Sequence, residues 1–227
     1  GGRLCAGSRA GEGSGGQVLL FLEAGSVTSG DIVDEDPVTG SGGTDVILAE
    51  GASWSGMLRG VHNFTSSSGS FAFVDEIDIT GDLFANGTGF SFSDPGGSIG
   101  GNVILGGGAT TTGAAIGSPI TVGGNVDIDR ESVLGGNWAI SGNLTNSGRI
   151  APGNPIGRIS VDGDLTLLPG SILDMEIDSD DADVIEVGNM AVLDGSVQVT
   201  PLARALIDTP YPVVDAAGGI SGTFSEG

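Results

Sequence analysis

Apolar residues come in short bursts along this chain. Val, Ile, Leu and Phe take alternate positions for a few residues, separated by Ser, Thr or Asp, and each burst is cut by Gly, Asn or Asp. Ile120-Thr121-Val122 and Phe90-Ser91-Phe92 are typical. Such alternation puts every second side chain on one face, and predicts many short, half-buried strands between tight turns. Apolar spacing of the helical kind is almost absent.

One unit recurs: apolar, any residue, Gly, Asn or Asp, apolar. It reads Ile79-Thr80-Gly81-Asp82-Leu83, Ile99-Gly100-Gly101-Asn102-Val103 and Val122-Gly123-Gly124-Asn125-Val126. It continues as Ile140-Ser141-Gly142-Asn143-Leu144 and Val161-Asp162-Gly163-Asp164-Leu165, with 20, 23, 18 and 21 residues between successive glycines. Looser copies stand at Gly30-Asp31-Ile32, Trp54-Ser55-Gly56-Met57-Leu58 and Val187-Gly188-Asn189-Met190. This period fits one turn of a parallel β-solenoid, three short strands joined by turns. Each turn buries its apolar face only when a copy lies above and below it. The expected fold is therefore all-β, a single elongated solenoid of about nine or ten turns. Ile79, Ile99, Val122, Ile140 and Val161 would form an internal column. Gly at the corner would take positive φ, with Asn or Asp beside it stacking from turn to turn. Asp34–Gly43 and Phe64–Gly69 read as loops inserted between turns, and the aperiodic head 1–17 as a flexible linker.

Composition adds constraints. The 227 residues include 44 Gly, and seven Arg stand against 29 Asp and Glu, for a net charge of −22. A surface of that sign repels nucleic acid and anionic membranes. Cys5 is the single cysteine and has no internal disulfide partner. The apolar run Val18–Leu22 is far too short to span a bilayer, and no signal peptide is recognisable.

Candidate chemistry is sparse. One His, His62, and one Cys exclude zinc sites of the His/Cys type, and no Gly-x-Ser-x-Gly elbow accompanies His62. Asp178, Asp180, Asp181 and Asp183 are the densest carboxylates. They lack the Gly and terminal Glu of an EF-hand loop, and read as a solvated turn between strands. Asp31, Asp34, Glu35 and Asp36 read the same way. Thr110-Thr111-Thr112 is too short for a flat Thr array, and Asn63, Asn86 and Asn143, each in Asn-x-Ser/Thr, read as turn residues. Trp54, Trp138 and the alternating Phe71/Phe73 and Phe90/Phe92 are expected to point inward. No metal, cofactor or catalytic residue is predicted.

From Asn143 onward the sequence resembles the C-terminal end of an autotransporter passenger domain, secreted by the type V route of Gram-negative bacteria. Asn146-Ser147-Gly148-Arg149-Ile150-Ala151-Pro152-Gly153-Asn154 is similar to the family's N-x-G-x-I-x-P-G-N segment, with Pro155 where the family usually has Ser. Gly157–Leu165, Leu173–Ile177 and Asp183–Gly188 follow in order. Tyr211-Pro212-Val213-Val214-Asp215-Ala216 and Gly218–Phe224, with Gly219, Gly222 and Phe224, complete the match. The resemblance implies a right-handed parallel β-helix divided into a linker (1–17), stalk turns (18–142) and an autochaperone-like segment (143–227). It also implies a non-catalytic role as stalk and folding nucleus, at the outer membrane surface or released from it. The implied partner is a C-terminal translocator β-barrel of the same precursor, which this sequence does not contain. An alternative is an adhesin or self-association module that binds another passenger or a cell surface through its lateral face. Less favoured is a polysaccharide-active enzyme.

Overall fold

The computed structural model describes residues 4–6, 18–34, 44–92, 96–113, 118–153, 155–203 and 210–225. Among these there is no helix, and every strand-to-strand ladder is parallel. Strands of mostly three to six residues stack in three columns, each turn of the chain supplying one strand to every column. One column runs from Val18–Leu22 through Thr44–Leu48, Val103–Gly106, Val126–Ile128, Leu144–Asn146 and Leu165–Leu167 to Ala191–Leu193 and Ile220–Gly222. The long strands Asn63–Ile79 and Leu83–Phe92 bend at corners and serve more than one column. Between Thr44 and Val187 the β-solenoid has about seven complete turns, fewer than the nine or ten expected, with further strands at both ends. Leu4–Ala6 pair with Ile32–Asp34.

Alternation explains the core. In register, Val46, Phe64, Leu83, Val103, Val126, Leu144 and Leu165 form one buried row. Ile79, Ile99, Val122, Ile140, Val161 and Val187 form another. At about 1.5–3 kcal/mol for each fully buried aliphatic side chain, such rows are the main driving force for stacking. Phe64, Phe71, Phe73, Phe90 and Phe92 fill the interior of the earlier turns; the Phe73 and Phe92 rings stack with centroids 5.2 Å apart. Trp54 and Trp138 are buried, and each donates its ring N–H to a backbone carbonyl, of Gly30 and Gly135.

Phe64–Gly69 is not an inserted loop. Phe64 and Ser66 point into the core, where the Ser66 hydroxyl donates to Thr88 Oγ1, and the chain turns its corner at Ser68 and Gly69 with positive φ. The run is polar because one corner follows directly on a strand, which is why it reads as a loop in sequence. Most of Asp34–Gly43 lies outside the described residues, as does most of 1–17.

Candidate functional site

The recurring Gly–Asn/Asp unit forms one hydrogen-bonded ladder along a corner of the solenoid. Asn63 Oδ1 accepts from the Asp82 amide at 2.9 Å, and Asp82 Oδ1 from the Asn102 amide at 2.6 Å. Asn102 Oδ1 accepts from Asn125 N (2.9 Å), Asn125 Oδ1 from Asn143 N (2.8 Å), and Asn143 Oδ1 from Asp164 N (2.8 Å). Asp164 Oδ1 then accepts from Met190 N at 3.1 Å, and the row stops there because Met has no acceptor oxygen to pass on. Every oxygen points to the following turn, so the ladder has a direction.

The corner glycines are there for a different reason from the one the sequence suggests. Gly81, Gly101, Gly124, Gly142 and Gly163 do not have positive φ. A Cβ on any of them would lie within 2.6 Å of the Asn or Asp oxygen of the preceding turn. Close approach, not backbone handedness, excludes a side chain. Two further features were missed in sequence. Asn63 begins the ladder although His62, not Gly, precedes it; both side chains contact Asp45 Oδ1. At Val187-Gly188-Asn189-Met190 the Gly-Asn pair sits one residue early. Asn189 N bonds Gly163 O and so stands at the glycine position, leaving Met190 at the Asn position.

A second set of polar braces holds the later turns at another corner. Asn137, buried, accepts from the Arg158 amide at 2.6 Å. Asp183 is fully buried; its Oδ1 accepts from the Gly157 amide and its Oδ2 from the Glu176 amide, both at 2.7 Å. Burial pushes the Asp183 carboxyl up to about 6, against those two amide bonds, and the nearby Glu176 and Asp181 carboxylates add to the rise. The acidic stretch is thus only partly a solvated turn: Asp180 and Asp181 are exposed, whereas Asp183 is a clamp. Tyr211 donates its hydroxyl to Ser179 O at 3.0 Å, tying the next turn to this hairpin.

The other motif residues cluster around these braces. Asn146 is buried and accepts from the Gly148 amide at 2.9 Å. Pro152 and Gly157 are buried, Gly153 has φ +77°, and the Gly153 and Gly157 backbones touch so closely that neither admits a Cβ. Gly219 and Gly222 have positive φ at the last turn, and Phe224 packs against the core. Asn154 lies outside the described residues. Of the second acidic set, Asp31 Oδ1 accepts from the Met57 amide, while Glu35 and Asp36 are outside the described residues. Thr111 turns inward and exchanges hydrogen bonds with the Gly135 backbone.

A cleft of about 340 Å3 opens beside this region, lined by Thr112, Gly136, Pro152, Asp174, Glu176 and Asp183 among others. Asp174 is paired with Arg149, and both Asp183 oxygens are engaged with backbone amides. Asp174 and Asp183 thus brace the fold. Among the described residues no group of three or more His, Cys, Asp or Glu is placed to hold a metal ion. No protein family, curated protein or solved structure matches the chain.

Proposed function

We propose that this chain is the non-catalytic stalk and folding nucleus of an autotransporter-type passenger, displayed on or released from the outer membrane of a Gram-negative bacterium. The supporting observation is the bracing of the later turns. Asn137, Asp183 and Tyr211 each tie one turn to a neighbour, and the residues that resemble the autochaperone segment lie among these ties. An open solenoid end offers unpaired strand edges to any passing chain. A last group of turns that closes on itself first gives the preceding turns a template of the right register. Its cognate partner in this reading is the translocator barrel of the same precursor.

Deleting residues 143–227 tests the proposal. The remaining 1–142 should refold slowly and stay sensitive to protease, and adding the 143–227 segment in trans should speed its folding. Refolding at the full-length rate without that segment would contradict the proposal.

A further inference from the structure

The outward rows of two columns are mostly small or polar. Ser55, Ala72, Ser91 and Thr112 form one row, and Ser53, Ser70, Gly89 and Thr110 run beside it with a single exposed apolar residue, Val27, at their end. Asp78, Ser98, Thr121, Ala139 and Ser160 lie along the other column. The remaining column departs from this. Its outward row, in register, is Phe21, Ile47, Thr65, Phe84 and Ile104, followed by Asp127. Phe21 is 56% exposed and Ile104 39%. Inward positions of these same strands already fill the core, so nothing in the stacking requires outward Phe and Ile.

We propose that this row is a docking surface for a cationic amphipathic helix. Five positions one strand spacing apart extend over roughly 19 Å, the length of about 13 helical residues, which matches apolar anchors at i, i+3 or i+4, and i+7. Charge selects the occupant. The chain carries −22, and exposed Glu23 and Asp127 stand at the two ends of the row. A second copy or an anionic bilayer is repelled, whereas Lys and Arg flanking an apolar face are attracted. The proposal does not depend on the stalk reading.

The test titrates full-length protein into a labelled Leu/Lys amphipathic helical peptide of about 14 residues, following anisotropy at physiological salt. Controls are a Leu/Glu peptide of the same pattern and a Leu/Lys peptide with its order scrambled. Micromolar binding of the Leu/Lys helix is expected, weakened at least about tenfold by Phe84→Thr or Ile104→Thr. Thr keeps strand propensity at these outward sites, and unchanged thermal unfolding of each variant verifies its fold. The proposal is overturned if the scrambled or Leu/Glu peptide binds as well, if neither variant weakens binding, or if no binding occurs. It is equally overturned if the protein alone dimerises, or floats with phosphatidylcholine vesicles, in a manner that the two variants abolish; the occupant is then a second copy or a bilayer.

Discussion

A methyl group on Gly124 would lie 2.6 Å from both Asn102 Oδ1 and the Gly101 carbonyl oxygen. Neither can retreat easily, since the Asn102 oxygen is fixed by the Asn125 amide and the carbonyl belongs to the stacked backbone. Gly124→Ala should therefore cost about 2–3 kcal/mol in urea unfolding. Asn102→Ala, which removes one acceptor, should cost about 1 kcal/mol. The double variant should cost less than the sum, because one of the oxygens that the methyl group strikes is gone. Strict additivity would show that the glycine is needed for some other reason. At this scale the sequence was legible in part. The Gly–Asn/Asp pairs announced the corner because two constraints fall on adjacent residues in every turn. Their mechanism was hidden, since a demand for positive φ and a demand for close approach both select glycine. Asn63 was hidden too, because His62 takes the place of the glycine.

Strands of three residues gain order only from their neighbours, so the elements that matter energetically are corners and the braces across them. Asp183 joins the Gly153–Gly157 corner to the end of strand Ile172–Ile177. Its folded pKa of about 6 exceeds the 3.8 of the unfolded chain, so the native state binds more protons between those values. Its contribution is thus most favourable below pH 4 and declines as pH rises through 6. Between pH 4 and 7 the wild type should lose about 2 kcal/mol relative to Asp183→Asn, measured as the difference in unfolding free energy. A difference independent of pH would mean that the carboxyl stays ionised throughout. The strand pattern and the inward columns could be read from alternation alone, and so could Trp54, Trp138 and the four paired Phe residues. The burial of Asp183 could not. Four acidic residues in six look solvated until the hairpin that Ala182 closes against Ile177 turns one of them inward.

Over the whole molecule, a net charge of −22 is spread on a body whose interior is mostly apolar. Repulsion keeps open strand edges from pairing with other chains while the stack is incomplete. Within the stack, the corner ladder links turns from Asn63 to Met190; the buried side chains Asn137 and Asp183 clamp backbone amides of the later turns, while the earlier turns bury the Ser66–Thr88 hydroxyl pair. The earlier turns rely on the aromatic interior instead. In the proposed reading this asymmetry gives folding a starting point, and the order of folding can be followed amide by amide. Pulse-labelled hydrogen exchange during refolding of the full chain follows the ladder and brace amides directly. The account predicts that Gly157, Glu176 and Met190 become protected before Asp82 and Asn102. Protection of Asp82 and Asn102 first, or of all five together, would contradict it.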